Sequence, residues 1–248
     1  MTRFQGRTVL VTGASSGLGL ASARRFADEG ARVVLVSRSA ERLESARAGL
    51  PGAGHIAIPC DCGNASATAD MGKRIKDDGI TIDSLVLAAG SHLLRPFQVM
   101  KEQHLTEVLQ NNLFSTLNPI RGVLGSLSAG GSAIVGITSV AATRGGAGVV
   151  GYSAAKGAVV SALRALAVEL AGRKIRVNWV SAGVVRTPMS DTFLERVGPE
   201  AAAQIERAHL LGLGEPSHVA SAVAFLASDD AAWITGAEFT VDGGLSCH

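Results

Sequence analysis

Tyr152-Ser-Ala-Ala-Lys156 begins thirteen residues after Ser139. Helical residues four apart share a face one turn apart, so this spacing sets a phenol beside an ammonium. A free tyrosine, with a pKa near ~10, is a poor proton donor or acceptor at neutral pH. A cation within a few ångströms stabilises the phenolate, and the pairing predicts a phenol pulled toward working pH and usable as a general acid or base. Tyr152 is the only tyrosine of the chain. The pair alone fits an ordinary helix surface equally well, so the rest of the sequence must decide.

A second constellation lies near the start. Thr12-Gly13-Ala14-Ser15-Ser16-Gly17-Leu18-Gly19 follows a β-branched run, Thr8–Thr12, and opens a helical stretch from about Leu18 to Glu29. Glycines allow a tight strand-to-helix turn and let backbone approach a pyrophosphate, while the helix N-terminus aims N–H groups and its positive dipole end at the phosphates. Gly13, Ser15, Ser16, Gly17, Leu18 and Gly19 are therefore candidate dinucleotide contacts. Ser37 and Arg38 stand at the end of the next strand, with no carboxylate at its tip. An acidic side chain there would bond ribose hydroxyls and repel a 2′-phosphate, whereas a guanidinium pairs with the phosphate. NADP(H) is favoured over NAD(H), with Arg42 competing for the role of Arg38.

The elements that must position these residues read as alternating strands and helices. Arg32–Ser37, His55–Asp61, Ser84–Ala89, Ser132–Thr138, Arg176–Ser181 and Glu238–Asp242 continue the strand series. Ala40–Leu50, Ala65–Asp78, Leu105–Leu117 and Tyr152–Ala171 continue the helices. Apolar strands separated by helices predict a parallel sheet covered on both faces, here a Rossmann-like, doubly wound, seven-stranded α/β fold. No linker or repeat divides the 248 residues, which are read as a single dinucleotide-binding domain, 1–248. The helix from Tyr152 is apolar almost all round, which predicts burial of a second face in a homo-oligomer, dimer or tetramer.

Composition narrows the classes. A net charge of +2 without a long basic run argues against a nucleic-acid partner. Gly122–Thr143 lacks charge for long enough to span a bilayer, but five glycines and four serines interrupt it, and no membrane span is expected. Cys60, Cys62 and Cys247 form no disulfide framework. Cys60 and Cys62 are expected on one strand face; they, and Cys247 with His248, lack metal-ligand spacing, so no metal is expected. The N-terminus leaves no room for a signal peptide, and a cytoplasmic location is expected.

With these motifs in place the whole chain resembles the short-chain dehydrogenase/reductase family, in its single-domain branch of 3-oxoacyl reductase-like proteins. Thr12–Gly19 matches the family's cofactor turn, Tyr152 and Lys156 its catalytic pair, Ser139 its strand-end serine and Asn112 its helix asparagine. The resemblance implies hydride transfer between NADP(H) and a carbonyl or secondary alcohol. Tyr152 would exchange the proton with the substrate oxygen, Lys156 would lower its pKa and hold the nicotinamide ribose, Ser139 would bond the oxygen, and Asn112 would position a relay water. It further implies cofactor contacts at Asp61 and Cys62 against adenine, at Ala89 and Gly90, at Tyr152 and Lys156, and at Val185 and Thr187 near the nicotinamide amide. Asp242-Gly243-Gly244 resembles the motif closing the last strand. The usual Asn-Asn-Ala-Gly reads Leu87-Ala88-Ala89-Gly90, and the usual Pro-Gly reads Ala182-Gly183. Ala88 and Ala182 thus replace an amide and a proline without removing a reacting group.

The substrate lid is expected at about 186–214, offering Met189, Phe193, Leu194, Val197, Leu210 and Leu211, with 143–150 and 91–97 lining the remainder. The lining predicts a hydrophobic, small-molecule carbonyl or alcohol as substrate. His92 and Arg95 are candidates for an anionic group, though surface-loop residues are the plainer reading. The alternatives are a 3-oxoacyl-thioester reductase, on a carrier protein or CoA, and a dinucleotide-sensing protein without turnover.

Overall fold

Strands form where β-branched and aliphatic residues run together, and the central runs, β1, β2, β4, β5 and β6, are buried on both sides. The structure is a computed structural model describing residues 2–247. Along the chain come β1 (Thr8–Thr12), α1 (Gly17–Asp28), β2 (Arg32–Ser37), α2 (Ala40–Ala48), β3 (Ile56–Pro59), α3 (Ala65–Asp77) and β4 (Ser84–Leu87). Then follow α4 (Glu102–Leu109), a π-helical turn (Gln110–Phe114), α5 (Ser115–Val123), β5 (Ser132–Ser139), α6 (Val150–Leu170) and β6 (Ile175–Ala182). Two short helices, α7 (Pro188–Val197) and α8 (Pro199–Ala208), precede α9 (Pro216–Ala227) and β7 (Glu238–Val241).

All strand pairings are parallel, in the order β3-β2-β1-β4-β5-β6-β7. Successive strand residues point to opposite faces, and the core divides accordingly. Val9, Val11, Val33 and Leu35 pack with Phe26 of α1, Leu43 of α2 and Val219 and Val223 of α9. Leu10, Val34, Val36 and Leu85 pack on the other face with Met71 and Ile75 of α3 and Val159 and Leu163 of α6. The strand order reverses between β1 and β4, and in open parallel sheets the crevice at that switch point, beyond the carboxyl ends, is where ligands bind.

Several expected boundaries shift. The strand expected over His55–Asp61 ends at Pro59, so Cys60 and Cys62 lie in the loop beyond it and do not share a strand face. The helix expected over Leu105–Leu117 is not a continuous α-helix. One wide turn interrupts it at Gln110–Phe114, and α5 then runs on to Val123 through Pro119. Ser115 and Thr116 donate hydroxyl hydrogen bonds to the carbonyls of Asn111 (2.7 Å) and Asn112 (2.8 Å), which supports that widened turn. The fifth strand extends one residue beyond Thr138, placing Ser139 at its tip. Gly122–Thr143 contains the end of α5 and all of β5, and among the described residues no helix is long and apolar enough to cross a membrane. His248 lies outside the described residues. Among those described, no three His, Cys, Asp or Glu side chains are grouped to hold a metal ion.

Candidate active site

The first turn of α6 carries Tyr152, and one turn further on the same helix carries Lys156. Facing them is the tip of β5, where Ser139 hydrogen-bonds the Tyr152 hydroxyl and accepts from the Ala141 N–H at 3.2 Å. Lys156 is 7 % exposed. Its Nζ donates to the Ile137 carbonyl at 3.2 Å and stands 5.7 Å from the centre of the Tyr152 ring.

The expected acidification of the phenol by its neighbour is not what the structure shows. Burial pushes the Tyr152 phenol up to about 12, only partly offset by the Ser139 hydrogen bond. Burial pulls Lys156 down to about 8. Both groups lose hydration on entering the same desolvated corner, and that loss disfavours each charged form. Moreover, the ammonium is aimed at the Ile137 carbonyl. The phenol at neutral pH is thus a protonated hydroxyl, poised to donate.

Asn112, at the centre of the π-helical turn, is fully buried. Its Nδ2 donates to the carbonyls of Ser91 (3.0 Å) and Val108 (2.9 Å), while its Oδ1 accepts from none of the described residues. A methyl group placed on Gly90 would lie 2.9 Å from that Oδ1 and 3.5 Å from Lys156 Nζ, so the three residues adjoin. Ser139, Tyr152, Lys156 and Asn112, separated widely in sequence, are brought to one end of the sheet.

The cleft running from this corner over the carboxyl ends of β1, β2 and β4 is lined by most of the residues expected to hold a dinucleotide. Gly13, Ser15, Ser16, Gly17, Leu18, Gly19, Ser37, Arg38, Asp61, Cys62, Ala89, Gly90 and Thr187 all border it, as do Tyr152, Lys156 and Asn112. Val185 does not. It is turned into the core beneath the lid, and its carbonyl accepts from Ser190 Oγ at 2.6 Å. Residues that sequence reasoning did not single out for this wall are Cys60, Asn111, Ser115, Ile137 and Thr138.

The cleft suits a dinucleotide on local grounds. A Cβ on Gly19 would stand 2.2 Å from the Gly13 carbonyl, so only glycine lets strand and helix meet this closely. α2, α3 and α7 are capped by Ser39, Asn64 and Thr187 side chains, but Ser16 at the start of α1 makes no such bond. The first amides of α1 therefore remain open toward the cleft, as an anion requires. Ser37 Oγ is buried without a partner at the tip of β2. Arg38 and Arg42 are exposed beside it, and among the described residues neither forms an ion pair. The loop after β3 is fixed from below: Asn118 Nδ2 donates to the carbonyls of Cys62 (3.3 Å) and Gly63 (3.0 Å), and Gln110 Nε2 also donates to Gly63. Thr12 Oγ1 accepts from the N–H groups of Ala88 (3.1 Å) and Ala89 (3.2 Å), bracing the backbone beyond β4.

Over the other end of the cleft lies the segment expected as a lid, folded as α7 and α8 with no fully buried residue in either helix. Its far end is anchored by His209, 2 % exposed, whose Nε2 accepts from the Val184 N–H at 3.0 Å while Nδ1 donates to the Ile205 carbonyl at 2.7 Å. Nothing in the local sequence signals that anchor. His92 turns its ring inward, 4.8 Å from Tyr152 and 4.8 Å from Phe193 of α7. Burial, with the Arg196 guanidinium nearby, lowers its pKa. A ring kept neutral in this way does not serve the anionic group for which His92 was a candidate.

Comparison with known proteins agrees with this geometry. Residues 13–246 match the family model described as enoyl-(acyl carrier protein) reductase. The chain is 34 % identical to carbonyl reductase family member 4 of Danio rerio, over 96 % of this chain and 98 % of that protein. It is also 34 % identical to a 3-oxoacyl-(acyl-carrier-protein) reductase of Vibrio cholerae, over 98 % of each. The solved NADPH-bound structure of a short chain oxidoreductase from Pseudomonas aeruginosa, described as containing an atypical catalytic center, superposes with a TM-score of 0.90 at 32 % identity, covering 99 % of this chain and 98 % of that one. By its fold, its cleft and these relatives, the chain belongs to the short-chain dehydrogenase/reductase family of oxidoreductases, which act between carbonyls and alcohols with a nicotinamide dinucleotide.

Proposed function

We propose that this protein is an NADP(H)-dependent reductase of uncharged ketones, with Tyr152 as proton donor. The observation that carries this reading is the convergence of Tyr152, Lys156 and Asn112 on the cleft that begins at the Gly13–Gly19 turn, with burial keeping the phenol protonated. The bound cofactor supplies the hydride. Ser139 and Tyr152 hold the carbonyl oxygen, and as negative charge gathers there the Tyr152 O–H delivers its proton. Lys156 Nζ holds the ribose side of the cleft, and Asn112 Oδ1, itself an unused acceptor, orients the donor that returns a proton toward the phenol. Asp61 and Cys62 face the adenine, Ala89 and Gly90 the ribose, and Thr187 the nicotinamide amide. Arg38, with Arg42 behind it, meets the 2′-phosphate, which is the ground for preferring NADP(H).

The apolar side chains of α7, Met189 and Phe193, together with the inward His92, favour a hydrophobic carbonyl substrate. A 3-oxoacyl thioester is the second reading, supported by the resemblance to the Vibrio cholerae reductase. Residues 1–248 act as one domain with 186–214 as its lid, in the cytoplasm, where the thiols of Cys60 and Cys62 stay reduced. Val168 on α6 is 79 % exposed and Phe114 is 43 % exposed. These apolar positions support a homo-oligomer, and a monomeric mass by light scattering at micromolar concentration would exclude it. The activity is tested by following NADPH absorbance with cyclohexanone, 2,3-butanedione, a 3-oxosteroid and acetoacetyl-CoA. Turnover of a free ketone is expected. Dinucleotide binding without turnover of any of the four would favour a sensing protein.

A further inference from the structure

His92 has no place in the proton and hydride chemistry above, yet it occupies a spot that touches both the reacting phenol and the lid. Its ring centre lies 4.8 Å from that of Tyr152, with the planes inclined at 59°, and 4.8 Å from that of Phe193, edge-on at 64°. Three rings from three separate elements are therefore in series: Tyr152 on α6, His92 in the loop after β4, and Phe193 on α7. Inclined pairs at such separations are attractive beyond the area they bury. α7 has no fully buried residue of its own, and so depends on contacts of this kind to stay in place. The loop that carries His92 is itself braced. Asn112 Nδ2 donates to the Ser91 carbonyl at 3.0 Å, and the Arg95 N–H donates to the Gly148 carbonyl at 2.7 Å.

We propose that His92 is a positioning residue that clamps the lid helix α7, through Phe193, onto the ring of Tyr152, so that seating the lid and aiming the catalytic phenol are one event. The inference rests on the carbonyl-reductase reading of Tyr152 but fails separately from it. A neutral ring suits the clamp. Burial and the Arg196 guanidinium, which approaches from the same helix as Phe193, both oppose a charge on His92.

The test compares His92→Ala, His92→Phe, Phe193→Ala and the His92→Ala/Phe193→Ala double variant, using NADPH and the best ketone of the panel. Loss of the clamp is expected to lower kcat by up to about a hundredfold, the effect of a small misplacement of a reacting group. KM for NADPH should stay within about threefold, because the adenine and phosphate contacts lie at the far end of the cleft. His92→Phe, which keeps a flat ring, should recover kcat to within about threefold of the wild type. The double variant should be no slower than the slower single variant, since both break the same series of contacts. Hydrogen exchange across 188–197 should speed up in His92→Ala and in Phe193→Ala, and this readout needs no turnover. Unchanged exchange in both variants, additive losses, or a His92→Phe enzyme as slow as His92→Ala would overturn the clamp. A wild-type protein that reduces no carbonyl would overturn the proposed function and leave the exchange experiment to decide the clamp.

Discussion

Replacing Arg38 by leucine removes the group on which the proposed preference for NADP(H) depends. Arg38 is exposed at the tip of β2, lines the cleft and forms no ion pair among the described residues. Its loss therefore strands no buried carboxylate, and the substitution reads cofactor recognition with little effect on folding. A hydrogen bond to a charged partner is worth about 1.5–3 kcal/mol net. At about 1.4 kcal/mol per tenfold in affinity, that is roughly a ten- to hundredfold rise in KM for NADPH. Exposure argues for the lower half of that range, since water and salt screen such a pair. Arg42, in the first turn of α2, retains part of the attraction, so Arg38→Leu/Arg42→Leu should exceed the single change. KM for NADH, which lacks the 2′-phosphate, should hardly move in either variant. The assay is steady-state reduction at fixed ketone with each cofactor, repeated from low to high salt, where the advantage of NADPH should shrink as ionic strength rises. An unchanged ratio of the two KM values in the double variant would refute the assignment of the phosphate to this corner.

Tyr152→Phe should lower kcat by about 10²–10⁴-fold, the usual range for a lost general acid, while dinucleotide binding measured by fluorescence is kept. Lys156→Met should abolish turnover yet raise the melting temperature at pH 7. The buried ammonium is pulled down to about 8 from an unfolded value near 10.5, so its cost is fully present below about 8 and is relieved as pH rises toward 10.5; the gain should fade over that window, and a gain that persists at pH 10.5 would contradict it. His209→Ala leaves the Val184 N–H and the Ile205 carbonyl without partners, a cost of about 1–3 kcal/mol, read as a fall in melting temperature of about 2–4 °C per kcal/mol. Alkylation of Cys60, which lines the cleft, should slow by roughly a hundredfold at NADP⁺ a hundred times its Kd, whereas the exposed Cys247 should react at an unchanged rate.

The fold was legible because both of its signals are local. β-branched runs such as Arg32–Ser37 are continuous, and the Gly13–Gly19 turn joins strand to helix in adjacent residues. The four residues expected to react come together for a different reason: Ser139 ends a strand, Tyr152 and Lys156 lie in the first two turns of a helix, and Asn112 lies in the helical segment after β4, so elements that were plain in the sequence carry them to one edge. What escaped depends on contacts between distant segments. Asn118 holding the Cys62–Gly63 loop, His209 pinning the lid and His92 between two aromatic rings are separated from their partners by 25 to 101 residues or act through backbone atoms that no side-chain pattern reports. The π-helical turn around Asn112 also left no mark, because one extra residue in a turn does not disturb an apolar pattern read over a dozen positions.

The shifts of Tyr152 and Lys156 bear on direction. A phenol at about 12 and an amine at about 8 are each displaced toward the uncharged form, so this corner is tuned by desolvation more than by attraction between its two members. For reduction that is an advantage: the phenol holds its proton across the whole neutral range and needs only to release it onto an oxygen that is becoming negative. For alcohol oxidation the same phenol must first lose its proton, against both burial and the pull of neutral pH. The forward reaction should therefore run near pH 7 and weaken as Lys156 discharges above about 8, while the reverse should gain with rising pH. Initial rates in the two directions, measured with one ketone and its alcohol between pH 6 and 10, should cross. Parallel profiles would mean that the proton passes through some group other than Tyr152.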